Sequence, residues 1–213
     1  MSRSTIGKLF LVVILLQFLG FFIVTVVAGK DGVSDKKPFI AQIDEIAVSD
    51  SNVYTLDSTF RKICKYDLKG NYLHTISFST MGSSRIFCDD QNRLCRFDVR
   101  GHSVDVYDDS GSVVDSYEIQ YADVIENGSL KSYEPAKTVE KAGVTYRFDN
   151  RFIADSLLYF GDDPVVVEST GYHLLSNVYR LIAIGAFGFA FYSIVAEYIK
   201  RFKAKQTSEK SDA

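Results

Sequence analysis

The chain has 213 residues, 46% of them hydrophobic and 24% charged, with a formal net charge of −3. That length allows one or two domains with a sizeable core, and the acidic balance excludes nucleic acid as the expected partner, because its phosphates would be repelled. Three cysteines and three dispersed histidines do not make a zinc site, whose ligands come as spaced pairs.

In chain order, a short segment 1–8 is followed by residues 9–28, LFLVVILLQFLGFFIVTVVA, which carry no charge. Twenty residues at about 1.5 Å each span roughly 30 Å, the thickness of a bilayer's hydrocarbon core, so the run predicts a transmembrane helix. A cleaved secretory signal is the alternative: Arg3 and Lys8 form a basic head and Val26-Val27-Ala28 fits the small-residue cleavage pattern. A second apolar run, 181–196 within a segment 174–199, predicts a second span, with a buried helix of a globular domain as its competitor. Within it Ala186 and Ala190 form a small-xxx-small pair suited to close helix contact. The tail 200–213 opens with Lys200, Arg201, Lys203 and Lys205. Together with Arg3 and Lys8 these cations predict cytoplasmic termini, and they leave the acidic middle of the chain outside the cell membrane. The lipid bilayer is therefore an expected partner.

Residues 38–170 read as an all-β extracytoplasmic domain. The outline of "VYTLDSTFRKICKYDLKGNYLHTI", 53–76, returns without a gap forty-one residues later as "LCRFDVRGHSVDVYDDSGSVVDSY", 94–117. Apolar residues alternate within each run, as half-buried antiparallel strands require. Both copies place an Asp-x-x-Gly turn between strands, Asp67 to Gly70 and Asp108 to Gly111: the carboxylate caps the turn and the glycine supplies the dihedrals of a bulged hairpin exit. The copies run about 46–77 and 87–118, and a degenerate third, about 144–168, starts at "VTYRFDN" after a longer polar insertion.

A period near forty residues with several short strands is the length of a propeller blade. The residues "VYTLD" and "KICKYDLKGNYLHTI", with their second copy, resemble the blade repeats of six-bladed β-propellers of the NHL type over about 43–119. The resemblance implies an open β-meander of two to three blade-like units, of a kind that usually forms interaction surfaces. Three units fall short of the four to eight that close a ring. Open edges then need a cover, from the insertion, from "PFIAQID", or from another protein, and self-association or a protein partner is expected. A small β-sandwich is the competing fold.

Cys88 and Cys95 flank a turn predicted at Gln91-Asn92, which would oppose them as a disulfide pair; the competing reading is two small buried core residues. His74, His102 and His173 have no ligand or base partner at strand or helix spacing, and neither a nucleophile elbow nor a phosphate loop nor a dinucleotide fingerprint is present. No cofactor and no catalytic residue is expected. The sequon Asn127-Gly128-Ser129 is compatible with a glycan. The leading expectation is a two-span protein that displays its β domain for protein binding or scaffolding, with exposed tyrosines such as Tyr117, Tyr121 and Tyr133 as contacts. The alternatives are a sensor or accessory subunit that recognises a ligand outside, and an extracytoplasmic hydrolase testable at Asp57, Asp98 and His102.

Overall fold

A computed structural model describes residues 31–38, 40–80, 82–126, 130–151 and 155–167, with scattered helical residues in 12–19 and 185–199. The chain divides into two compact units, 1–23 with 175–213, and 24–174. Among the described residues the second unit holds thirteen strands, all in antiparallel sheets.

The first sheet is formed by β1 (Gly32–Ser34), β2 (Glu45–Val48), β3 (Asn52–Asp57), β4 (Lys62–Asp67) and β5 (Tyr72–Ser77), in the order β1-β5-β4-β3-β2. The second holds β6 (Ser84–Cys88), β7 (Leu94–Asp98), β8 (Ser103–Tyr107) and β9 (Val113–Glu118) in sequence order. After helix α1 (Tyr121–Glu126), the third follows as β10 (Thr138–Lys141), β11 (Val144–Asp149), β12 (Ser156–Phe160) and β13 (Asp163–Val167). Three meanders are compatible with blade-like repeats. The first two match in detail: β5 and β9 each carry one extra residue, Leu73 and Val114, where the register shifts opposite Lys65/Tyr66 and Val106/Tyr107. Arg61 and His102, forty-one residues apart, both adopt positive φ, 56° and 52°.

The first sheet is the middle layer, which explains why β3 is buried on both faces instead of alternating. Ile46, Val48, Val53, Cys64 and Tyr66 pack against Tyr146, Leu158, Phe160 and Val167 of the third sheet. Ala47, Tyr54, Leu56, Ile63 and Ile76 face the other way, onto Ile86, Leu94 and Tyr107 of the second. The outer side of the second sheet, Phe87, Cys95, Phe97, Val104 and Val106, is roofed by Val124 of α1 and by Leu130. The outer side of the third sheet is polar, with the Arg147 guanidinium 4.0 Å from the Tyr159 ring centroid. One end of the stack is thus closed by a helix and the other is solvated, so three units persist without ring closure.

The two membrane-spanning helices expected at 9–28 and 174–199 are corrected, and with them the two-span placement across a cell membrane. Among the described residues, no helix is long and apolar enough to cross a membrane. An uncharged run sets how far a helix could reach, but not what surrounds it. Ala186, Ala190, Arg3, Lys8, Lys200, Arg201, Lys203 and Lys205 lie outside the described residues, as do His173 and Asn127-Gly128-Ser129.

Candidate functional site

Turn chemistry accounts for the residues that define the repeat. Asp67 Oδ1 accepts the backbone N–H groups of Lys69 at 2.9 Å and Asn71 at 2.8 Å, and Asp108 Oδ1 accepts that of Ser112 at 2.9 Å. Side-chain donors, Asn71 Nδ2 to Asp67 and Ser110 Oγ to Asp108, both at 2.7 Å, with these backbone hydrogen bonds hold both carboxyls below the usual carboxylate range. Gly70 and Gly111 have φ of +87° and +85°. A Cβ on Gly70 would lie 2.5 Å from Val165 Cγ2, and one on Gly111 would lie 2.8 Å from Ile76 Cγ1. Each glycine therefore serves both the turn and the contact with the neighbouring sheet.

Asp57 and Asp98 end equivalent strands and cap the next turn. Asp57 accepts from Ala41, Thr59 and Phe60 N–H groups, and Asp98 from those of Arg100 and Gly101. Burial pushes the Asp57 carboxyl up to about 7, despite the opposing backbone hydrogen bonds. His102 sits in the β7–β8 turn. The two aspartates cap turns and His102 lies in one, and among the described residues none of their contacts makes a nucleophile and base pair.

The cysteines are free thiols. Cys88 opposes Leu94 and Cys95 opposes Phe87, so the pair expected to face each other is one residue out of register. The β6–β7 turn has five residues, Asp89 to Arg93, closed by Asp89 N–H to Arg93 O at 3.1 Å, and a one-residue change in register sends the thiols to opposite faces. Burial pushes Cys64 up to about 11 and Cys88 and Cys95 up to about 12, which keeps them protonated and poorly nucleophilic.

Three buried cations were not legible as site residues. Arg85 on β6 donates to Glu45 on β2 at 2.9 and 2.7 Å, and to the carbonyls of Tyr133 and Glu134 at 3.0 and 2.9 Å. Glu45 in turn accepts from the N–H groups of Ile86 and Ala136. This network ties the strands β2 and β6 to the segment entering β10. Lys65, with a side chain only 6% exposed, reaches across to the Asp109 carbonyl at 2.9 Å and carboxylate at 3.2 Å. Arg96 donates to Asp105, Thr80 and Tyr107 and lies 4.5 Å from the Phe78 ring centroid. A charge inside an otherwise apolar strand run was the available signal, since such groups are buried only when paired.

Arg96, Asp105 and Tyr107 line a cleft of about 570 Å³ between β1 and β5 of the first sheet and β8 and β9 of the second. Its rim carries Asp31, Ser79 and Ser112. The Arg96 contacts fix Asp105, Ser116 Oγ donates to that carboxylate at 2.9 Å, and Ser79 Oγ donates to Asp31 at 2.8 Å. This cleft holds polar groups that already satisfy one another. Among the described residues no group of three or more His, Cys, Asp or Glu could hold a metal ion.

Beside the cleft runs β9, the only strand beyond β1 whose residues are all exposed among those described in full. Val113, Val114 and Tyr117 are 53%, 54% and 43% exposed. On one edge β9 pairs with β8, and its other edge has no strand partner among the described residues. Its counterpart β5 is covered: Gly32, Val33 and Ser34 of β1 oppose Ser77, Ile76 and Thr75. Of the three tyrosines expected at the surface, Tyr117 and Tyr133 are exposed, whereas Tyr121 stacks on Phe97 at 5.4 Å.

No family model matches this chain. No curated protein matches it. Among solved structures, a glutaminyl cyclase from Myxococcus xanthus is 17% identical with a TM-score of 0.30, over 58% of this chain and 50% of that one. A protein of unknown function from Bacteroides caccae is 9% identical with a TM-score of 0.29, over 58% of this chain and 44% of that one. The chain spans half or less of their length. Likeness this slight carries no argument, and the β-rich architecture rests on the strands described above.

Proposed function

We propose that the β domain is a protein-binding or scaffolding module and that strand β9 is its contact surface. The observation that carries this reading is the difference between two repeat-equivalent strands: β5 is covered by the chain's own β1, and β9 presents an open edge with Val113, Val114 and Tyr117 exposed. An uncovered edge strand is a template for pairing, and natural sheets otherwise shield it. Aromatic contacts such as Tyr117 suit interfaces.

A photo-crosslinking residue placed at Tyr117 of the full chain, with a second version at Thr145 on the polar side of the third sheet, tests this in cells. Discrete adducts to another protein are expected from position 117 and not from 145. Equal labelling from both positions, or none from 117, contradicts the reading.

A further inference from the structure

We infer that β9 binds an extended, basic peptide segment of a partner protein as an added antiparallel strand; this rests on the proposal that β9 is a contact surface and names what it takes.

The backbone carries the first half of the argument. Phe78 N–H bonds Arg61 O at 3.1 Å, and forty-one residues on Ile119 N–H bonds His102 O at 2.8 Å. Because alternate residues of an antiparallel strand turn their N–H and C=O groups to the same side, Thr75 and Ser77 point away from β4, and Ser116 and Glu118 point away from β8. Thr75 and Ser77 are the residues that β1 opposes through Ser34 and Gly32. Ser116 and Glu118 face outward in the same way with no strand on them among the described residues, the Ser116 N–H being held meanwhile by the neighbouring carboxylate, Asp115 Oδ1, at 2.8 Å. The fold thus already contains one added strand of the kind proposed, on the equivalent edge.

Charge supplies the second half. Asp115 and Glu118 are exposed on β9 and make no ion pair among the described residues. The neighbouring helix adds Asp123 and Glu126 with no base in its last turn. Three cations of these sheets are committed elsewhere: Arg93 to Asp89, Arg96 to Asp105 and Lys65 to Asp109. A second copy would bring two acidic edges together, and in the register centred on Glu118 it would set that carboxylate against its own copy; like charges opposed across strands are destabilising. A six-residue edge also falls well short of the roughly 1,200 Å² that specific stable interfaces bury. A short strand with Lys or Arg opposite Glu118 and Asp115, a β-branched residue opposite Tyr117 and a small one opposite Ser116 fits both the hydrogen-bonding array and the charges.

The test uses the full chain and a fluorescent peptide, Lys-Val-Ser-Lys-Val between glycines, with two controls: Glu-Val-Ser-Glu-Val, and the basic peptide N-methylated at the amides that would face β9. Saturable binding of the basic peptide is expected, weakened at least about tenfold by either control. The double substitution D115K/E118K, on exposed side chains, is expected to reverse the preference between the two charged peptides. No binding of the basic peptide, binding indifferent to N-methylation, or unchanged preference in the double variant overturns the inference. Concentration-dependent dimers lost in D115K/E118K would overturn it in favour of a second copy. Crosslinks at Tyr117 without peptide binding would leave β9 as a contact surface and remove strand addition; absence of both would remove the two together.

Discussion

At the scale of single residues, Asp57 couples the fold to pH in an unusual direction. Its carboxyl titrates at about 7 when buried and near 3.8 when free, so the folded chain holds the proton more tightly. The sign follows: between about pH 4 and 7 the folded state binds more protons than the unfolded state, and stability falls as pH rises, by an amount on the order of a few kcal/mol. His74 acts oppositely. Burial, with Lys65 beside it, lowers its pKa below 6.5, so its contribution is present above that pH and is lost as pH falls. Asp67 and Asp108, held low, contribute above the ordinary carboxylate pKa and lose that contribution only in stronger acid. Urea midpoints at pH 5 and pH 8 for the native chain and for Asp57→Asn separate these effects. The native chain is expected to lose more stability between pH 5 and pH 8 than the variant does; an identical pH dependence contradicts the assignment to Asp57.

At the scale of elements, the Asp-x-x-Gly hairpin works between sheets as well as within them. The Gly70 turn meets Val165 and Phe160 of the third sheet, and the Gly111 turn meets Ile76 and Val33 of the first. In the third sheet Gly161 takes the corresponding hairpin position at φ +64°, and a Cβ there would lie no nearer than 3.9 Å to Val144 Cγ1. Gly70→Ala and Gly111→Ala therefore combine left-handed strain with overpacking and are expected to cost about 3 kcal/mol each, against about 1–2 kcal/mol for Gly161→Ala. Thermal or urea denaturation of the three variants checks the ranking, and equal costs would mean that the turns do not brace the neighbouring sheets. The repeat period and both turns were readable because Asp and Gly at fixed spacing have a local mechanism. Strand β10 was missed within the polar insertion: its return turn is Ala142-Gly143, both at positive φ, and an alanine there gives no turn signal. Helix α1 was missed because six residues with the one buried position Val124 show no helical period.

For the molecule as a whole, three antiparallel sheets packed face to face follow from the blade-like reading, but the manner of termination does not. Sequence pattern showed that three units leave edges and faces open. It did not show that the roof of the second sheet comes from Val124 and Leu130, or that Gly32–Ser34 returns to cover the first sheet's edge, since both depend on contacts between residues distant in sequence. The Glu45–Arg85 pair was hidden for the same reason: the partners stand forty residues apart, and neither belongs to the repeat. The two apolar end segments illustrate the converse limit, because composition suggested a surrounding that no described helix is long and apolar enough to support.

The central claim is that one repeat edge is sealed by the chain itself and its equivalent is left open for a partner. Residue-resolved hydrogen exchange on the full chain measures this directly. The amide of Ser77, under β1, is expected to be protected, and that of its equivalent Glu118 to exchange freely until the basic peptide is added. Equal protection of these two amides in the unliganded chain would contradict the account.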